Sequence, residues 1–114
     1  MNTASFTQKR RFIVKLGKML HKFGTPAYRL EAHLENLATF LGLKASFIIT
    51  PTALTFVIWT EGHEDEYTHA ARVAPGELDL GALARSDELV DKLTDYTITL
   101  EQADHALDEI ANLP

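Results

Sequence analysis

The run Phe23-Gly24-Thr25-Pro26-Ala27-Tyr28-Arg29-Leu30-Glu31 joins two amphipathic patterns and leaves the chain little choice about how it turns. Before it, Phe12, Ile13, Leu16, Met19, Leu20 and Phe23 recur at helical spacing, with lysines on the opposite face. After it, Leu30, Leu34, Leu37, Ala38 and Leu41 repeat the pattern until Gly42 stops it. Gly24 is free to take positive φ and so ends the first helix. Thr25 is expected to cap the second helix through its hydroxyl. Pro26 is expected at the first helical position, where a missing N–H costs nothing and φ is preset. Two helices joined by so short a connection pack as an antiparallel hairpin. Arg29 and Glu31 fall in the first two turns of the second helix. An arginine there runs against the helix dipole, which prefers acids, and this invites a partner elsewhere in the fold.

The character then changes. Residues 45–50 and 53–60 are rich in Phe, Ile, Val, Thr and Trp, too short and too β-branched for helices. Pro51 cannot donate to a ladder, so Thr50-Pro51-Thr52 breaks between two strands. Glu61-Gly62-His63-Glu64-Asp65-Glu66 reads as an exposed loop, and residues 67–74 supply a third strand that Pro75-Gly76 ends. Residues 79–83 are expected to form a short helical turn. Ser86 is expected to cap a helix carrying Leu89, Val90 and Leu93. Thr99 and Gln102 have capping-box spacing for a last helix with Ala103, Ala106, Leu107 and Ile110. The class is α+β: a helical hairpin, a three-stranded antiparallel sheet, then two C-terminal helices packed on one face.

At 114 residues the chain is one small domain, 1–114, with a single core. It has no cysteine, which excludes a disulfide framework and a thiolate metal site and fits a reducing compartment. No apolar run reaches the roughly 18 residues that cross a bilayer, and the polar start Met1-Asn2-Thr3-Ala4-Ser5 lacks a signal-peptide core. A soluble, cytosol-like domain is expected. The net charge of −5 hides an asymmetry, because residues 1–44 hold eight of the eleven basic side chains and only two of the sixteen acids. Six of those basic residues (Lys9, Arg10, Arg11, Lys15, Lys18, Lys22) lie in or just before the first helix. Attraction between the two halves of the fold is the first explanation, and an anionic membrane face the second. Nucleic acid comes last, because no basic patch is interleaved with exposed aromatics and the whole domain is acidic.

No phosphate-binding glycine loop, HExxH helix, GxSxG elbow or dinucleotide fingerprint is present. His63 and His69 flank Glu64, Asp65 and Glu66, but at no metal-ligand spacing, so an acidic loop tip is expected and no metal or cofactor. His21, His33 and His105 sit on helices without a partner at ligand spacing, as surface or boundary residues. Arg29 and Glu31 diverge on one helix, being two residues apart. Arg72 is the lone basic residue between Lys44 and Arg85. It reads either as a surface strand residue or as the partner of Glu31 across the helix–sheet boundary.

With these residues in view, Lys15 to Glu31 (Leu16-Gly17, Leu20, Phe23-Gly24-Thr25-Pro26-Ala27, Arg29-Leu30-Glu31) resembles the opening of the threonine/serine exporter family. That family also takes in fungal pheromone-regulated membrane proteins and a bacterial two-component succinate exporter. The likeness continues in order through Leu37-Ala38, Leu41-Gly42-Leu43, Phe47, Thr50-Pro51-Thr52, Arg72-Val73, Leu78-Asp79-Leu80-Gly81, Leu83 and Leu89, and ends in the last helix. The family's characteristic positions match Gly24, Pro26, Arg29, Glu31, Pro51 and Arg72. Thr25 departs from the usual small residue, and Tyr28 from a frequent histidine.

The resemblance implies a cytosolic domain on the inner face of the plasma membrane, ahead of transmembrane helices that export threonine, serine or a small organic acid on the proton gradient. Those helices would follow Pro114, so the chain is expected to be the front part of a longer protein rather than a stand-alone domain. The implied role is regulatory, gating or assembly. The implied partners are the transmembrane bundle (in the same chain or in a partner subunit), anionic inner-leaflet lipid, a small amino acid or dicarboxylate, and a second copy of the chain. The alternative is a hydrolase of a small amide or peptide, with Glu31 as acid/base and Arg29 or Arg72 holding a carboxylate. Tyr28 counts against it: if the histidine frequent at that position acts in catalysis, this chain lacks it. Glu31 and Arg72 are expected to meet, directly or through Arg29, where the second helix packs on the third strand.

Overall fold

A computed structural model describes residues 4–113; Met1, Asn2, Thr3 and Pro114, part of the polar start and domain end read above, lie outside the described residues. The elements run α1 (Phe6–Lys22), α2 (Ala27–Phe40), β1 (Lys44–Thr50), β2 (Ala53–Trp59), β3 (Glu66–Arg72), α3 (Leu80–Thr94) and α4 (Leu100–Ala111). The α+β order expected from the sequence is the order found.

Each helix starts and stops for a local reason. Ser5 and Gln8 form a capping box at α1, with Ser5 Oγ accepting from Gln8 N–H at 3.1 Å and Gln8 Oε1 from Ser5 N–H at 2.8 Å. Thr99 and Gln102 do the same for α4, as their spacing predicts. At the end of α1, Gly24 takes φ +91° while its N–H donates to His21 O and the N–H of Thr25 to Leu20 O. This is the Schellman arrangement, and it changes the expectation for α2. Thr25 falls outside α2: Pro26, in extended backbone, is the N-cap, its carbonyl accepting from Leu30 N–H at 2.9 Å, and the helix has no side-chain cap and begins at Ala27. Gly42 (φ +76°) closes α2 in the same way, with Leu43 N–H on Ala38 O.

The sheet is an antiparallel meander in the order β1-β2-β3. Its register places Phe47, Phe56 and His69 side by side, with Ile49, Leu54 and Ala71 as the next row. Side chains alternate, so this face carries the buried residues Phe47, Ile49, Leu54, Phe56 and Ile58, and the other face is open. α1 and α2 cover the buried face. They approach tightly at Gly17, where an added Cβ would lie 2.7 Å from the Phe56 ring and 3.1 Å from Leu34 Cδ1. Phe12, Ile13, Leu30, Leu34, Ile58 and Leu107 are fully buried at this centre. Each such side chain contributes up to about 1.5–3 kcal/mol by leaving water.

The C-terminal helices add a second layer, with α4 against α1 and α3 against α4. Here the sequence expectation needs correction. Residues 79–83 are not a separate turn and Ser86 is not a cap. One helix runs from Leu80 to Thr94, and Asp79 caps it by accepting the Ala82 N–H at 3.0 Å. Ser86 lies inside this helix, fully buried, and its Oγ has no hydrogen-bond partner among the described residues.

Candidate functional site

The basic residues of α1 are the strongest chemical feature of the surface. Arg11, Lys15, Lys18 and Lys22 are spaced four, three and four residues apart, which places them on one stripe opposite the buried face. Only Lys15 in this stripe is neutralised within the described residues. Its Nζ lies 2.9 Å from Asp104 Oδ1 and 2.8 Å from Asp108 Oδ1 of α4. Partial burial pulls its pKa down, but the hydrogen bonds to Asp108 and Asp104 outweigh burial and hold the ammonium above the ordinary lysine value. Attraction between the basic and acidic halves is thus confined, on this stripe, to one residue. Among the described residues, Arg11, Lys18 and Lys22 have no carboxylate within 4.0 Å.

The stripe runs into a cleft of about 870 Å³ at the end of α1, lined by Lys18, Lys22, Phe23, Val73, Leu78 and Leu80 together with the carboxylates Glu77 and Asp79. Its far wall is the strap 73–79 between β3 and α3. The strap is seated by main-chain bonds, with Glu77 N–H donating to Lys22 O and Asp79 N–H to Phe23 O, both at 3.1 Å. These bonds satisfy carbonyls that a helix end leaves open. Two glycines allow the approach. A Cβ on Gly76 would lie 2.0 Å from His21 O, and one on Gly24 2.9 Å from Leu78 Cα. His21, set aside above as a boundary residue, is buried and fastens the same corner from below, its Nε2 donating to Thr50 O at 3.0 Å. Leu78 and Leu80 stay about 70% exposed at the cleft mouth (69% and 70%), beside the two lysines.

A second cluster lies between α1 and β3. Arg10 stacks its guanidinium 3.8 Å from the centre of the Tyr67 ring. His69 sits beside Tyr67 against Phe56, with a buried Nε2 that has no partner among the described residues. Burial, together with Lys18 and Arg10, holds its pKa below the ordinary histidine value. His69 therefore faces the helices and is separated from the 61–66 loop, where His63 Nδ1 pairs with Glu66 at 2.9 Å. Among the described residues, no group of three or more His, Asp or Glu side chains converges as a metal site would need.

The residues matched by family pattern do not form one site. Gly24 and Pro26 shape the α1–α2 corner, and Pro51 sits exposed in the β1–β2 turn. Arg29 is exposed and Glu31 half-buried on α2. Arg72 is in register with Ala53, on the open face of the sheet, whereas Tyr67, His69 and Ala71 turn toward the helices. The expected meeting of Glu31 with Arg72 is corrected by this period of two: an even-numbered residue of β3 points away from α2. None of Arg29, Glu31 and Arg72 lines the cleft. His21 and Gly76 were the residues passed over; an apolar-face position (His21 lies one after Leu20) and a glycine within a helix-flanking strap were the available signals.

Comparison with known proteins gives a consistent picture. The model of a family described as "Putative threonine/serine exporter" matches residues 11–114. The chain is similar to an uncharacterized protein of Schizosaccharomyces pombe, 26% identical over 114 residues, which are 100% of this chain and 15% of that protein. It is similar to pheromone-regulated membrane protein 10 of Candida albicans (strain SC5314), 26% identical over 110 residues, 96% of this chain and 10% of that protein. The Yarrowia lipolytica protein of the same name is 24% identical over 110 residues, 96% of this chain and 9% of its own length. The chain thus spans only a small part of the curated relatives it matches. No solved structure matches it. Among the described residues, no helix is long and apolar enough to cross a membrane.

Proposed function

From the fact that this chain belongs to the threonine/serine exporter family, we propose that it is the cytosolic module of a proton-driven exporter of threonine, serine or a small organic acid. In this reading it governs gating or assembly of the transmembrane bundle and does no chemistry of its own. The observation that carries the mechanism is the stripe Arg11–Lys18–Lys22, which lacks carboxylate partners among the described residues and borders the exposed Leu78 and Leu80. Cations beside exposed apolar side chains suit the anionic inner leaflet: lysines meet headgroups while leucines enter the interface. Each cation near such a surface contributes roughly 1 kcal/mol, falling off within a Debye length. Arg29, Glu31 and Arg72, exposed or half-exposed on different faces, then serve contacts with the rest of the exporter rather than one active site.

Two measurements test this. Co-sedimentation of the chain with vesicles rich in phosphatidylserine should show binding at low salt that is lost at high salt and lost in the triple variant Arg11→Glu, Lys18→Glu, Lys22→Glu. Absence of binding at low salt removes the membrane contact. Separately, cells whose gene lacks the codons for these 114 residues should change their efflux of labelled threonine, serine or succinate. Unaltered efflux of all three would remove the exporter role of this domain.

A further inference from the structure

β3 leaves a long stretch of backbone open. The β2–β3 register continues past both strand ends, with Thr60 N–H on Asp65 O and Val73 N–H on Thr52 O, each at 3.0 Å. Odd-numbered residues of β3 therefore turn their backbone groups toward β2. In an antiparallel ladder the alternate residues point the other way, so the N–H and C=O groups of Glu66, Thr68, Ala70 and Arg72 face outward. All four residues are exposed. The strand carries no proline, and its register with β2 runs unbroken from Glu66 to Arg72, so two of the usual devices that blunt an edge are missing. Its charges lie only at the ends, negative at Glu66 and positive at Arg72.

We propose that this edge pairs with the same edge of a second copy, antiparallel about a twofold axis at His69, so that the two sheets become one. Outward residues must stand opposite outward residues for the ladder to form. Centred on His69, the pairing sets Thr68 opposite Ala70 and Glu66 opposite Arg72 of the second copy, and symmetry repeats both. A slip by two residues keeps the backbone condition but moves Glu66 opposite Ala70 or Ala74; the first slip sets Arg72 against Glu64, which lies in the loop before the strand, so both Glu66–Arg72 pairs are lost. The charge order of the strand thus selects one register and one partner. An unrelated strand would need the same charges at the same spacing; a second copy supplies them by symmetry.

The side chains at the two ends are available for this. Arg72 has no ion pair among the described residues, and Glu66 uses Oε1 on His63, leaving its other oxygen. On the helix side, Arg10 and Lys18 flank His69 in each copy, with Tyr67 beside it and Phe56 beneath it. Like charges near the axis oppose the contact, and the interface is small, so the expected dissociation constant is loose, at about 10–100 µM. The pairing goes beyond the exporter reading and stands without it.

Sedimentation of the 114-residue chain over concentrations up to about 1 mM measures the association. A dimer is expected in the wild type. Arg72→Glu or Glu66→Arg alone should weaken it about tenfold or more, and the two together should restore it to within about threefold. Thr68→Pro, which deletes an outward N–H at an edge that tolerates proline, should leave the far-ultraviolet circular dichroism intact and abolish the dimer. A chain that stays monomeric throughout overturns the proposal. So does a dimer indifferent to the single reversals, or one that the double reversal fails to rescue.

Discussion

Replacing Gly76 with alanine measures how firmly the strap 73–79 is seated on the end of α1. The new Cβ would lie 2.0 Å from the main-chain oxygen of His21 and 3.2 Å from Gly24 N. Neither neighbour is a side chain that can swing aside, so the strap must lift. Lifting breaks the bonds from Glu77 N–H to Lys22 O and from Asp79 N–H to Phe23 O. Two such bonds contribute about 1–3 kcal/mol net. Water reaches the freed carbonyls, so no buried-group penalty is added. Alanine narrows the unfolded ensemble and returns about 0.4–1 kcal/mol. The net loss is about 1.5 kcal/mol, or a fall in Tm of roughly 5–10 °C. Urea unfolding followed by circular dichroism should show a lower midpoint at unchanged slope. Gly81→Ala is the control. The nearest atoms to a Cβ there are the far ends of side chains, Arg85 Nη1 at 3.3 Å, Asp79 Oδ1 at 3.7 Å and Arg85 Nη2 at 3.8 Å. In the first turn of α3 this change should stabilise by about 0.5–1 kcal/mol. If Gly76→Ala unfolds at the wild-type midpoint, the strap is not held as described.

Two other substitutions probe buried polar groups. Ser86→Ala removes a fully buried hydroxyl without a hydrogen-bond partner among the described residues, and should raise stability by about 1 kcal/mol in the same urea assay; a loss of that size would mean that Oγ is bonded in solution. His69 titrates below its ordinary 6.5 in the folded state, first through burial and then through Lys18 and Arg10. The unfolded chain then takes up the proton first. Stability should be complete above that value and fall as the pH drops through it toward the lower folded pKa. His69→Phe should flatten this part of the pH profile, and an unchanged slope would show that His69 is not its source.

Much of the architecture was legible because it rests on local chemistry. The Leu and Phe spacing of α1 and α2, the positive-φ glycines at 24 and 42, and the Thr99–Gln102 capping box each act within one turn of the chain. What went wrong involved competition between neighbours. Thr25 has the chemistry of a cap, but the first carbonyl to accept a helical bond in α2 is that of Pro26, one residue later, so the cap position passes to the proline. Ser86 likewise resembles a cap, and residues 79–83 a separate turn, yet packing of Ala82, Leu89 and Leu93 carries one helix through both. The Ser5–Gln8 box was as readable as the later one and was overlooked. The site was less legible still. Which face Arg72 occupies depends on a register set by Phe47 and Phe56. The isolation of Lys18 and Lys22 depends on where α4 places its two aspartates.

The layering of the helices has a consequence for how the domain opens. α3 and α4 rest on the remainder chiefly through α4 against α1, where Lys15 grips Asp104 and Asp108, and through the strap. The strands, by contrast, are knitted to α1 and α2 through Gly17, Leu34 and Phe56. The two parts should therefore differ in cooperativity, the C-terminal hairpin separating at a lower free energy than the rest unfolds. Native-state hydrogen exchange would register this as amides of 80–111 exchanging together, ahead of those in β2 and in the middle of α1. A domain that releases one hairpin while keeping its sheet intact would have, in α1, a surface that is covered or uncovered as a unit.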